Sequence, residues 1–182
     1  MIFHEMEVEG AFILEPERHS DERGWFARTF GAEELAARHL VTRVAQISAS
    51  HNTSRGTLRG MHMQLAPHEE TKVVRCTSGE VFDVLVDLRG SSNTFGRWTA
   101  AELSRTNGHA VYVPEGCAHG FLTLADESEV EYVISVPHAP DSAFGVRFDD
   151  PAFGIEWPFA PAVINERDRS YASVDLDALR SR

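Results

Sequence analysis

Side chains suited to proton and anion chemistry crowd into one stretch, GTLRGMHMQLAPHEETKVVRC, which carries Arg59, His62, Gln64, His68, Lys72 and Arg75. A second stretch, YVPEGCAHGFLTL, brings His119 out of a turn shaped by Pro114 and Gly116. Two chemistries compete for this set. Small β-barrels bearing H-x-H, a following carboxylate and a later P-x-G-x-x-H bind divalent metals, because imidazoles and a carboxylate from neighbouring strands close a facial site. Here the second histidine of the pair is replaced by Gln64, a weak neutral ligand, leaving His62, His68 and His119 with Glu69 or Glu70. The other chemistry is removal and return of a proton beside a ketone. It needs a base near neutral pKa, an acid on the opposite face and a positive donor at the developing enolate oxygen. His62, Tyr132 and Lys72 fill those roles, and an imidazole used as a base wants a carboxylate on its far nitrogen. Spacing alone does not say which carboxylate that is.

Other activities find no support. There is no G-x-S-x-G elbow, and neither Cys76 nor Cys117 stands in a nucleophile's context. Without G-x-G-x-x-G or G-x-x-x-x-G-K-[ST], a phosphate would have to meet arginines, of which Arg23 and Arg59 are candidates. The formal charge of −11, from 28 acidic and 17 basic residues, disfavours nucleic acid and anionic membranes as partners. No stretch approaches a membrane span, and the N-terminus lacks the build of a signal peptide, so a reducing cytoplasm is the expected location.

The elements that must position these groups are strands. From residue 56 to 136, short Val- and Phe-rich runs alternate with turn clusters such as RGSSN, SRTNG and PEG. In EVFDVLVDL, one face carries Phe82, Val84, Val86 and Leu88 and the other Val81, Asp83, Leu85 and Asp87; a single packing face is expected. Lys72 shares a face with Val74 and Cys76, and Tyr132 with Val130, Ile134 and Val136, so two polar groups sit on apolar faces. The only helical spacing near the N-terminus is in GAEELAARHL, through Ala32, Leu35, Ala36 and Leu40. The 182 residues suit one domain, an all-β jelly-roll barrel with short peripheral helices, ending in a packed loop and a polar tail.

Taken together, DERGWF, QISAS followed by GTLRGMHMQ, KVVRC, GEVFDVLVDLR, YVPEGCAHGF, EYVIS, DDPAFGIEWP and INERDR resemble the dTDP-4-dehydrorhamnose 3,5-epimerase family in order and spacing, over roughly residues 10 to 170. The resemblance implies a cupin-like jelly roll, a homodimer, no cofactor or metal, and epimerisation of a 4-keto-6-deoxy sugar on a nucleoside diphosphate, in deoxysugar or polysaccharide biosynthesis. It makes His62 the base, Asp168 its orienting partner, Tyr132 the proton donor and Lys72 the neighbour of the ketone oxygen. It places His119 in the sugar site, Arg23 and Arg59 on diphosphate and substrate, and Gln46 on the substrate strand. The chain departs from the family pattern at four recognition positions: Arg28 replaces Glu, Ser48 replaces Asn, His138 replaces a base-stacking Tyr and Ala143 replaces Glu. These changes suit a different base, a different sugar or a more anionic ligand. The competing classes are a metal-dependent cupin enzyme and a non-catalytic nucleotide-sugar binding module.

Overall fold

The computed structural model describes residues 1–180. In chain order the strands are β1 (Ile2–Glu5), β2 (Phe12–Glu15), β3 (His19–Asp21), β4 (Gly24–Phe26), β5 (Gln46–Asn52), β6 (Thr57–Gln64), β7 (Lys72–Ser78), β8 (Glu80–Asp87), β9 (Trp98–Ser104), β10 (Ala110–Val113), β11 (Cys117–Thr123), β12 (Ser128–Ile134), β13 (Ala143–Gly145) and β14 (Val163–Ile164). The helices are α1 (Ala32–Ala36), α2 (Glu166–Arg169) and α3 (Leu176–Arg180). One sheet runs β1-β2-β10-β7-β12-β5; the other runs β13-β6-β11-β8-β9, with β14 added to β6. They face one another as a cupin-like jelly roll, with Val74, Cys76, Val111 and Val130 of the first sheet packed against Val81, Leu85, Leu103 and Phe121 of the second.

The expectation of one packing face on EVFDVLVDL is corrected. Val81, Asp83 and Leu85 are buried between the sheets, and Val84 and Val86 are equally buried on the other side. That outer face is covered by the chain after β13, through Val146 and Phe153 with Ile155 and Trp157 packed beside them. The loosely patterned VRFDDPAFGIEWP segment is therefore the second layer over the sheet. A third cluster closes the outer face of the first sheet, with Leu35 of α1 against Leu14, Val73, Ala110 and Tyr112.

The strand region also extends beyond residues 56 to 136. Outside that range lie β1 to β5 and β13 and β14: six are pieces of two to four residues, and β5, indicated only by the resemblance through Gln46, is mostly polar. The N-terminal helix is shorter than its spacing suggests: it ends at Ala36, Ala32 and Ala36 are exposed, and only Leu35 is fully buried.

Candidate active site

One mouth of the barrel opens into a cavity of ≈ 340 Å³ whose walls include His62, Lys72, His119, Tyr132 and Asp168. Each comes from a different element. His62 lies near the end of β6, Lys72 starts β7, His119 is on β11, Tyr132 is on β12, and Asp168 is in α2.

Glycines permit the approach of β6 to β11. A Cβ on Gly60 would lie 2.5 Å from Gly120 Cα, and one on Gly120 would lie 2.8 Å from the Arg59 carbonyl oxygen. The ladder shifts register between His119 and Phe121 at this crossing, leaving His119 directly opposite His62. Asp168 arrives from the far end of the chain. β14 pairs in parallel with the start of β6, after which Asn165 caps α2 by accepting from the Asp168 backbone N–H at 2.7 Å. The Asp168 carboxylate then accepts from His62 Nε2 at 2.7 Å and from the Gly60 backbone N–H at 3.1 Å.

That environment sets the state of the pair. Burial pushes the Asp168 carboxyl up, but the hydrogen bond and charge of His62, the Gly60 N–H and the charge of Arg167 outweigh it and hold it below the ordinary value. An ionised Asp168 requires a proton on Nε2, so Nδ1 of a neutral His62 carries the free lone pair. Tyr132 lies in the opposite sheet. Burial drives its phenol above the ordinary value, and its hydroxyl shares a 3.2 Å hydrogen bond with Ser50 Oγ. It is therefore a protonated acid at neutral pH. The Lys72 ammonium donates to the His62 carbonyl oxygen at 3.2 Å.

His119 forms a second imidazole–carboxylate pair, 2.8 Å from Asp83 beneath the cavity wall. Asp83 is fully buried, and desolvation pushes its carboxyl up against the pull of His119 and Lys72. The His119 ring meets the Tyr132 ring edge-on at 6.2 Å.

The remaining residues singled out in the sequence divide into two groups. Gln46, Ser48, Arg59, His138 and Ala143 all border the cavity. Arg59 donates to Asn52 Oδ1 at 2.7 Å, which fixes its guanidinium beside the opening. Arg23 and Arg28 are not among the lining residues: Arg23 pairs with Asp21 inside its own hairpin, and Arg28 pairs with Glu34. The metal-ligand arrangement does not assemble. His68 bonds Ser142 at the surface, and among the described residues no three His, Cys, Asp or Glu side chains gather at metal-binding distance. Gln64 has a structural task, accepting from the Ala139 N–H at 2.6 Å and donating to the His68 carbonyl at 2.8 Å, which fastens the segment bearing His138.

Asp83, Ser50 and Asn52 were missed, and Glu70, considered in the sequence only as a metal carboxylate, faces Lys72 instead. Asp83 carried a usable signal, since it shares an apolar strand face with Val81 and Leu85 just as Lys72 does with Val74. Ser50 and Asn52 carried none, being common polar residues in a polar run.

A family model described as dTDP-4-dehydrorhamnose 3,5-epimerase matches residues 5–175. The chain is 41% identical over 172 residues to the dTDP-4-dehydrorhamnose 3,5-epimerase of Methanothermobacter thermautotrophicus, covering 93% of this chain and 92% of that one. It is similar to the crystal structure of a 4-keto-6-deoxy sugar epimerase from the novobiocin biosynthetic gene cluster of Streptomyces spheroides, with a TM-score of 0.90, 34% identity and coverage of 100% and 90% of the two chains. A 3'-monoepimerase from Streptomyces bikiniensis in complex with dTDP-quinovose matches with a TM-score of 0.86, 34% identity and coverage of 93% and 86%.

Proposed function

The chain belongs to the dTDP-4-dehydrorhamnose 3,5-epimerase family and is a nucleotide-sugar epimerase of deoxysugar biosynthesis, and we propose that His62, Tyr132, Lys72 and Asp168 carry its reaction. The substrate is a nucleoside-diphosphate-linked 4-keto-6-deoxyhexose. Nδ1 of His62 removes the proton from the carbon next to the ketone, the electron pair moves into the carbonyl and an enolate forms. Lys72 meets the developing charge on the ketone oxygen. The enolate electrons then take the phenolic proton of Tyr132 onto the same carbon from the other face, which restores the ketone and inverts the centre; solvent removes the proton held by His62 and returns one to the Tyr132 phenolate. Ser50, by donating to the phenolate oxygen, stabilises the state Tyr132 leaves behind. Asp168 orients His62 and stabilises the imidazolium without leaving its ionised state.

The single observation that carries this reading is the 2.7 Å contact of His62 with an ionised Asp168 in a cavity whose opposite sheet supplies Tyr132. Arg59, Gln46, Ser48, His119 and His138 are assigned to binding the sugar, the diphosphate and the base. The test is incubation with dTDP-4-keto-6-deoxyglucose in heavy water, followed by mass spectrometry and NMR. Deuterium at C3, C5 or both supports the reading; no exchange with any 4-keto nucleotide sugar, together with unimpaired binding, would favour a binding module.

A homodimer working in the cytoplasm completes the proposal. The β3–β4 hairpin is exposed throughout and ends on Trp25 and Phe26, 52% and 75% exposed, while Ile47 on the edge strand β5 is 64% exposed. Apolar groups so placed suit a contact with a second copy, which would also give Arg23 and Arg28 a substrate to meet. Light scattering of the purified protein tests it, and a monomer at micromolar concentration would count against it. Among the described residues, no helix is long and apolar enough to cross a membrane.

A further inference from the structure

Lys72 does not stand alone in the cavity wall. Glu70 Oε1 lies 3.0 Å from its ammonium, with the two side chains 6% and 11% exposed. Residues two apart in extended backbone share a face, and Thr71 between them pins the segment, its N–H donating to Ser135 Oγ at 2.8 Å and its carbonyl accepting from the Ser135 N–H at 3.1 Å. The other oxygen of Glu70, Oε2, is buried with no hydrogen-bond partner. A carboxylate left half-satisfied in a wall is a poor stabilising device, because its desolvation is only partly offset.

The geometry around Nζ gives it a different use. An ammonium has three donors at tetrahedral angles. Glu70 Oε1 takes one and the His62 carbonyl oxygen takes another, at 3.2 Å. Fixing two directions fixes the third, which is left for the cavity that Lys72 borders. We propose that Glu70 is a positioning residue that, with the His62 carbonyl, holds the Lys72 ammonium so that its remaining N–H meets the ketone oxygen of the substrate as charge develops there. This rests on the role given to Lys72 above. Glu70 touches no reacting atom and acts through Lys72 alone; its charge also keeps the ammonium from being an isolated buried cation.

The experiment is a double-mutant cycle on the full chain: wild type, Glu70→Leu, Lys72→Met and Glu70→Leu/Lys72→Met, with Glu70→Gln as the conservative variant. Solvent deuterium uptake into dTDP-4-keto-6-deoxyglucose gives kcat and KM, and thermal melting gives Tm. Glu70→Leu should lower kcat by about tenfold with KM within about threefold, and Glu70→Gln, which still accepts from Nζ, should recover most of the loss. In the Lys72→Met background, Glu70→Leu should add less than about twofold. The double variant should melt no lower than wild type, since replacing a buried ion pair by apolar side chains is commonly neutral or stabilising. If Glu70→Leu does not fold, the comparisons of Glu70→Gln with wild type and of the double variant with Lys72→Met carry the test. Full kcat in Glu70→Leu, an undiminished loss in the Lys72→Met background, or an effect on KM alone would overturn the proposal. A wild type that exchanges no deuterium would instead remove the epimerase mechanism on which it rests.

Discussion

His62 and His119 sit directly opposite one another on adjacent antiparallel strands, and the carboxylates that hold them are in opposite electrostatic conditions. Asp168, on His62, is drawn below its ordinary pKa by donors and charges; Asp83, on His119, is pushed up by complete burial. An anion held in place makes its imidazole a better base, and a carboxylate that resists ionisation does not. The proposed mechanism uses this asymmetry, with His62 as the base and His119 as a binding residue.

His62→Ala should therefore lose about 10²–10⁴-fold in exchange rate, the usual contribution of a general base. Asp168→Asn should lose less, since the imidazole survives. Substrate affinity by calorimetry should fall only slightly in both. Equal exchange by wild type and His62→Ala would end the assignment.

Tyr132→Phe separates the two halves of the reaction. With the base untouched, deuterium uptake should persist within about tenfold, the proton returning on the face it left. Inverted product, resolved by NMR coupling constants, should become scarce. Normal inversion in Tyr132→Phe would place the acid elsewhere, and retained inversion in Ser50→Ala is compatible with Tyr132 as donor.

Acid should weaken the Asp168 contact in a defined window. The folded-state pKa of Asp168 is depressed from the reference value of 3.8, so its stabilisation is complete above that value and is lost as pH falls through the lower folded one. From about pH 5 downward, the Tm advantage of wild type over Asp168→Asn should hold until about pH 4 and then narrow. A gap that stays constant to pH 2 would show that the contact does not titrate as described.

Both thiols should be silent in the folded protein. Burial pushes Cys76 to about 11 and Cys117 to about 12, and thiolate is the reactive form. Ellman's reagent at pH 8 should find neither thiol natively and both after denaturation; rapid native labelling would mean the barrel opens readily.

Selectivity should reflect Ser48, His138 and Ala143, which border the cavity, and Arg28, which lies outside it. We expect kcat/KM on the dTDP-linked 4-keto sugar to be lower than on the preferred carrier when dTDP, UDP, GDP and CDP conjugates are compared. Efficient double inversion of the dTDP substrate, at least as fast as any other, would make the four changes neutral.

The fold and the polar groups that meet at the cavity were legible in the sequence for a physical reason. Inward faces of β7 and β12 must be apolar, so Lys72 and Tyr132 stood out as polar groups with no local excuse, whereas the close approach of β6 and β11 at Gly60 and Gly120 is visible only in the structure. The strand β5 shows in the resemblance, through Gln46, but not in the residue pattern, for the same reason reversed: its inward residues Gln46, Ser48 and Ser50 face a cavity, so the apolar alternation that betrays a strand is missing. Pattern also exposed the resemblance that pointed to Asp168, but no rule of spacing links residue 62 to residue 168. Only the return of the chain along β6 brings that carboxylate to the imidazole. The same holds for Asp83 and Asn52, whose partners lie on other strands. Local sequence dictates which face of each strand is buried; which charges meet at the mouth of the barrel is decided by sheet order and register, and those are properties of the whole chain.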